Sequence, residues 1–279
     1  MDHDRVLDFL VSLYGEAKPR FLSLSPKTIK HKRANDILTD ADVSMNGFFV
    51  EAIKKEYPEA SIIAEESQND QLGEGYTFVV DPIDGTCNYA LGLPLCGIQI
   101  ALVYKKEPVV ALLGLPHFDE LYTAVKGQGA FCNGQRLSIR KETKSEDAIL
   151  ALSDLYSDNE EVELRHQYAA MEFLRPFFLK TRLFGAAVVD FAYLATNKAQ
   201  AYLCQYHLLW DIAPGLLLAL EAGAVASDCR GKPYRLGRHT LCLANNQENL
   251  DLLLSALRLG DQPKKKGSRK VSTGGWDQW

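Results

Sequence analysis

Residues 76–86 read Tyr76-Thr77-Phe78-Val79-Val80-Asp81-Pro82-Ile83-Asp84-Gly85-Thr86. An apolar, β-branched run that stops on a carboxylate predicts a buried strand, Tyr76 to Val80, that ends at Asp81-Pro82. Pro82 and Gly85 predict a sharp turn there, which would bring the carboxylates of Asp81 and Asp84 together. Converging carboxylates repel one another unless a cation sits between them, and hard oxygen ligands suit Mg²⁺ or Ca²⁺. Gly85 and Thr86 would then offer backbone N–H groups to an anion, as a turn leading into a helix N-terminus does. Two acids three residues apart also mark many surface turns. The full DPxDGT string, however, is expected by chance in on the order of one in several thousand chains of this length.

Outward from this string, Ala60 to Ala64 reads as a short strand with Glu65-Glu66 at its carboxyl end, 16 residues before Asp81. Paired acids often only face solvent, but a second strand alongside would return these two beside Asp81. Open α/β sheets gather ligands at the carboxyl ends of their strands. Further upstream, Val6, Leu7, Leu10, Val11, Leu13, Tyr14 and Ala17 recur at helical spacing, with a break at Ser25-Pro26. A second helix is predicted from Thr39, where Thr39-x-x-Asp42 resembles a capping arrangement, to Glu56.

Downstream, strands are predicted over Gly97–Tyr104 and Val109–Leu113, joined by a Lys105-Lys106-Glu107-Pro108 turn, and then over Leu121–Val125 and Gly127–Phe131. The charged stretch Lys141–Asp147 marks a boundary. Beyond it come a strand (Ile149–Ser153), a helix that contains Tyr168 to Phe178, a segment Thr181–Phe184, and helices over Val188–Thr196 and Asp211–Ala222, the last closed by Gly223. Asp211 is a natural N-cap for that helix, and Pro214 is placed in its first turn. Gln262 to Trp279 lacks apolar periodicity and reads as a flexible basic tail.

The formal net charge is −5, and with the tail removed residues 1–260 carry −8. An acidic body argues against nucleic-acid binding. It also requires a phosphate-binding protein to reverse its local sign with divalent cations. No signal-like apolar run appears near the N-terminus and no stretch approaches the ~18 apolar residues of a membrane span, so a cytoplasmic protein without membrane contact is expected. Six scattered cysteines with no CxxC pair read as reduced thiols, and the six histidines show no zinc spacing. Cys87, beside Thr86, reads as a packing residue.

DPIDGT, the preceding Ala64-Glu65-Glu66-Ser67, the later WDxAxG at Trp210–Gly215, Lys32-x3-Asp36-Ile37-Leu38-Thr39-x2-Asp42 and Gly185-Ala186-Ala187 together resemble the inositol monophosphatase family, within the lithium-sensitive phosphatase superfamily. The likeness runs from about Lys32 to Gly223. It implies an α/β fold, a layered αβαβα sandwich. An α+β N-terminal half (1–146) would bind metal and phosphate, and an α/β C-terminal half (147–261) would bind substrate. It implies a Mg²⁺-dependent phosphatase that hydrolyses a small phosphomonoester, inositol monophosphate or a related polyol phosphate, by in-line attack of an activated water.

Carried over by position, Glu65, Asp81 and the Ile83 carbonyl would bind one ion, and Asp81, Asp84 and Asp211 a second. A third, looser ion would lean on Glu65 near Asp42. Glu66 would orient ligands, and Lys32 would approach the phosphate or remain solvated. Glu65 and Thr86, with Asp84, would carry catalysis. Ile83, Asp84, Gly85, Thr86, Gly185, Ala186, Ala187 and Asp211 would line the phosphate and substrate site.

The chain departs from the family pattern on the ring-binding wall. Ala186 stands where Ser or Thr is frequent, Pro214 replaces a small residue, and Cys204 occupies the place of a Glu that accepts from inositol hydroxyls. Phosphatases for fructose bisphosphate, histidinol phosphate, phosphoadenosine phosphate or NADP are therefore the alternatives inside the superfamily, with Asn88-Tyr89 after DPIDGT favouring the inositol branch. A silent binding protein is the alternative outside it, and would be expected to have lost a metal ligand. Homodimers are common in the family.

Overall fold

The computed structural model describes residues 1–24, 28–33, 36–66, 71–154, 160–205, 207–238 and 240–260. The expected break at Ser25-Pro26, Ser67 of the acidic motif and the basic tail lie outside these residues. Helix α1 (His3–Ser23) buries Val6, Leu10, Leu13, Tyr14, Ala17 and Phe21, one apolar stripe at helical spacing. A hairpin of β1 (Ile29–Arg33) and β2 (Asp36–Thr39) leads into α2 (Asp40–Glu56). The predicted capping is present, with the Thr39 hydroxyl and the Asp42 carboxylate each satisfying the other's backbone N–H.

Next come β3 (Ser61–Ala64), β4 (Thr77–Asp84), the short helix α3 (Thr86–Ala90), β5 (Gly97–Tyr104), β6 (Glu107–Leu115), β7 (Glu120–Val125), β8 (Gly129–Cys132) and β9 (Gln135–Arg136). Strands β3 to β9 form one seven-stranded sheet in sequence order. The β3–β4 pair is parallel, which sets the carboxyl ends of both strands side by side as the acidic pattern required. The remaining pairs are antiparallel. The β5–β6 turn is shorter than expected. Lys105 and Lys106 both adopt positive φ (50° and 63°), the geometry of a two-residue hairpin loop, and β6 already begins at Glu107. Pro108 has no N–H to give the ladder, and the register shifts there.

The second half contributes β10 (Ile149–Leu152), α4 (Glu160–Leu174), β11 (Lys180–Leu183), α5 (Ala187–Ala195), β12 (Ala201–Cys204), α6 (Leu209–Ala222), β13 (Val225–Ser227), β14 (Leu241–Ala244) and α7 (Gln247–Gly260). Its five-stranded sheet runs β11-β10-β12-β14-β13. Helix α4 contains Tyr168 as predicted but ends at Leu174, before the predicted Phe178. Gly223, with φ 105°, caps α6 as predicted.

Three apolar clusters fix the layers. One joins α1 and α2 to the outer face of the seven-stranded sheet. A second packs α5 and α6 between the two sheets, from Ala111 and Leu113 on β6 to Tyr202 on β12. The third covers the far face of the five-stranded sheet with α4 and α7. The order is αβαβα. The inner layer starts both of its helices, α5 and α6, at the point where β4 ends.

Candidate active site

Strand β4 does not stop at Asp81. It continues through Asp84, and the expected sharp turn is a bulge instead. Asp81 pairs with Gln99 and Asp84 with Gly97, so three steps on β4 face two on β5. The extra residue re-aims the strand end, which is how bulges act beside functional sites. Gly85 then reverses the chain with φ 82° and caps α3. Asp81 and Asp84 are nearly fully buried, 2% and 8% exposed.

Each neighbouring carboxylate is held by named donors. Asp81 accepts from the Ile83 N–H at 3.2 Å. Asp84 accepts from Gln99 Nε2 at 2.9 Å and from the Val188 N–H. The second contact makes Asp84 the cap of α5, whose own first residues, Ala186 and Ala187, offer no capping side chain. Asp211 is not the N-cap of α6 as expected. Leu208 takes that place, and Asp211 sits three residues on, accepting the Leu208 N–H at 2.8 Å. Pro214 consequently falls in the second turn of α6, where it has no N–H for the Trp210 carbonyl.

Asp42, 1% exposed, accepts from the Thr86 hydroxyl at 3.1 Å, while the same hydroxyl lies 3.2 Å from the Ile83 carbonyl. The α2 cap thus orients Thr86. Lys32, on β1, does not line the cleft; its ammonium bonds Glu65 at 3.0 Å and Glu66 at 2.5 Å. Asn88 closes the junction of the two halves by donating to the carbonyls of Leu95 (2.7 Å) and Phe184 (2.9 Å).

One cleft collects Glu65, Asp81, Ile83, Asp84, Gly85 and Thr86 from the first half and Gly185, Ala186, Ala187, Cys204 and Asp211 from the second. Its electrostatics are those of crowded carboxylates. Burial pushes Glu65 up to about 7, although Lys32 opposes the shift. Burial pushes Asp84 up to about 6 against its N–H donors, and Asp81 is raised strongly by burial and by Glu65, Asp84 and Asp211. Burial alone would lower Lys32, but the two glutamates outweigh it and hold the ammonium charged.

The donor set is all hard oxygen and the excess is negative, which fits divalent cations of the magnesium type. Among the described residues no three of these side chains stand assembled as a metal cage. Each carboxylate is drawn toward a different N–H donor or toward Lys32, so the geometry that receives an ion needs a small convergence of side chains.

The sequence profile described as "Inositol monophosphatase family" matches residues 8–261. The chain belongs to the inositol monophosphatase family. An inositol monophosphatase of Dictyostelium discoideum is 32% identical over 247 residues, covering 86% of this chain and 90% of the relative. The Nus factor SuhB of Vibrio cholerae is 33% identical over 207 residues, covering 72% and 74%. The structure of the Thermotoga maritima IMPase superposes with a TM-score of 0.82 at 25% identity, covering 92% of this chain and 98% of that one. Membership in the inositol monophosphatase family makes the chain a metal-dependent phosphatase acting on phosphomonoesters. Among the described residues no helix is long and apolar enough to cross a membrane.

Two site residues escaped the sequence reading. Gln99 is a lone amide in the apolar strand Gly97–Tyr104, fully buried, and it ties Asp84 to the Asp211 carbonyl (3.4 Å). Asp190 is a lone carboxylate in the apolar helix Ala187–Ala195, and it lines the cleft. In both cases the readable signal is a polar residue at a position where every neighbour is apolar.

Proposed function

We propose that this protein is a Mg²⁺-dependent phosphatase of inositol monophosphate or a similar polyol monophosphate, with two ions held tightly and a third loosely. The observation that carries the reading is the shared cleft, where Glu65, Asp81, the Ile83 carbonyl, Asp84 and Asp211 meet Gly85 and Thr86. Glu65, Asp81 and Ile83 would hold the first ion and Asp81, Asp84 and Asp211 the second, with Asp42 and Glu66 orienting these groups. When bound, Mg²⁺ supplies Lewis-acid charge at the phosphoryl and leaving oxygens and makes water acidic enough to react at neutral pH.

The chain's own residues do the positioning. Glu65 and the Thr86 hydroxyl hold the attacking water, and Glu65 takes its proton. The Gly85 and Thr86 N–H groups, at the start of α3, bind phosphate oxygens. Gly185, Ala186 and Ala187 form the wall against the alcohol moiety. Lys32 neutralises Glu65 and Glu66 in the absence of an ion, so metal binding and the Lys32 contact compete.

In this reading residues 1–146 supply metal and phosphate binding and 147–261 supply substrate recognition. The protein works in the cytoplasm, as a homodimer like many family members. A second reading, a phosphatase for fructose bisphosphate, histidinol phosphate, phosphoadenosine phosphate or NADP, gains from Cys204. Burial pushes this thiol up to about 12, so it offers no anionic acceptor. Initial rates of phosphate release across these substrates, with and without Mg²⁺, decide between them. Preference for a bisphosphate or nucleotide selects the second reading, and inhibition by millimolar Li⁺ is expected under the first.

A further inference from the structure

A second pocket, of about 150 Å³, abuts the cleft between the start of α6 and the connection from β13 to β14. The two cavities share His207, Leu208 and Trp210 as a common wall. Their chemistry is opposite. The cleft is lined by carboxylates, whereas the only Arg, Lys, Asp or Glu among the described residues of this pocket is Arg238. Leu208, Leu209, Ile212 and Leu236 supply aliphatic walls, and Trp210 and Tyr234 supply rings. An apolar cavity of about this size holds a benzene ring.

Arg238 is exposed, and among the described residues its guanidinium has no hydrogen-bond or ion-pair partner. Asp228, a carboxylate that feels its charge, is instead engaged by the N–H groups of Arg230 and Lys232, at 2.9 and 3.0 Å. The Tyr234 hydroxyl donates to the Arg238 carbonyl at 2.9 Å and lies 3.0 Å from His207 Nε2, which fastens this rim to the wall shared with the cleft. Apolar walls with a few placed polar groups are the makeup of small-molecule sites.

We propose that this pocket binds a small aromatic anion, and that its occupant weakens metal binding in the cleft through Leu208 and Asp211. The ring packs against Trp210, Tyr234 and the aliphatic walls, and the anionic group meets Arg238, whose planar fork suits a carboxylate. Leu208 belongs to both cavities, and its N–H holds the Asp211 carboxylate at 2.8 Å. A ring packed on Leu208 favours this arrangement, while an ion draws Asp211 toward Asp81 and Asp84. Ligand and ion therefore oppose each other by one factor in both directions. The coupling rests on the metal-site reading of Asp211; the binding does not.

The probe is benzoate, with benzyl alcohol as its neutral counterpart. In Mg²⁺-free full-length protein, titration is followed by NMR at the Trp210 indole and the Leu208 amide. Saturable shifts are expected, with a Kd of about 1 mM or tighter for a ligand of this size. Benzyl alcohol, and benzoate on Arg238→Gln, should bind about 10-fold more weakly. Mg²⁺ should weaken benzoate about 5-fold or more, and benzoate should raise the Mg²⁺ needed for half-maximal phosphate release by the same factor, in wild type but not in Arg238→Gln. Shifts confined to Gly85 and Thr86 would place the probe in the cleft and overturn the proposal. Equal binding of benzyl alcohol, or no saturation at concentrations about 10-fold above that Kd, would also overturn it. Saturable binding that ignores Mg²⁺ overturns the coupling. A wild type that releases no phosphate fails the phosphatase reading, and the metal-free titration still decides the pocket.

Discussion

Gly85→Ala probes the junction on which the site depends. Gly85 holds φ 82°, and a Cβ placed there would lie 2.7 Å from the Ala186 Cβ and 3.1 Å from the Leu95 carbonyl oxygen. The left-handed conformation costs a residue with a Cβ about 1–2 kcal/mol. A methyl pair pressed roughly 1 Å inside the ~3.5–4.0 Å carbon contact distance adds about 1–3 kcal/mol of overpacking. The expected destabilisation is therefore about 2–5 kcal/mol, a large part of a typical stability of 5–15 kcal/mol. Urea unfolding of Gly85→Ala, Ala186→Gly and the double variant separates the two parts. Ala186→Gly removes the opposing methyl and leaves the backbone strain. The double variant should thus be about 1–3 kcal/mol more stable than the sum of the singles predicts. Phosphate release should fall further than stability does, because the same movement displaces the Gly85 and Thr86 N–H groups. A Gly85→Ala protein of wild-type stability, or one showing no coupling to Ala186, would refute the described contact between the two halves.

Three other outcomes follow from the site. Glu65 and Asp84 hold protons in the fold up to about 7 and 6, whereas ordinary carboxyls lose theirs near 4. Without metal the folded state binds more protons, so stability should fall as pH rises from about 4 to 7, and Mg²⁺ should restore it while releasing protons; thermal melts with and without Mg²⁺, and calorimetry in two buffers, check this. Gln99→Leu frees Asp84 from its 2.9 Å bond and should lower phosphate release about 10- to 100-fold while raising the Mg²⁺ needed for half-maximal rate; an unchanged Mg²⁺ titration would contradict it. Cys204→Glu should lower KM for inositol monophosphate about 10- to 100-fold, with less change in kcat, and equal harm to glycerol phosphate would make Cys204 a packing residue.

Much of this was legible in the sequence because its signals are local. The Thr39–Asp42 cap, the Gly223 helix stop, and the apolar strand that leads into Asp81 each depend on neighbours a few residues away. The DPIDGT string was harder to place. Pro82 and Gly85 suggest a turn, but Pro82 lies at a bulge where its missing N–H does no harm, so the strand runs on to Asp84. Asp211 carries an N-cap residue type, yet an acid three residues inside a helix can reach back to the cap N–H equally well, and only the chain's entry angle decides. Strands β12 and β14, four residues each and buried throughout, carry no alternation and were missed. The roles of Gln99 and Lys32 depend on pairings across the fold, 15 residues to Asp84 for Gln99 and 33 to Glu65 for Lys32, which no local pattern encodes.

The central claim is that Asp81, at the end of the first sheet, and Asp211, at the start of an inner helix, serve one metal site that hydrolyses phosphomonoesters. It is tested most directly by phosphate release from inositol monophosphate at limiting Mg²⁺, comparing wild type with Asp81→Asn and Asp211→Asn. The account predicts Mg²⁺-dependent release by wild type and a loss of ~100-fold or more in each variant. Release that persists in excess EDTA, or near-normal rates in either variant, would contradict it.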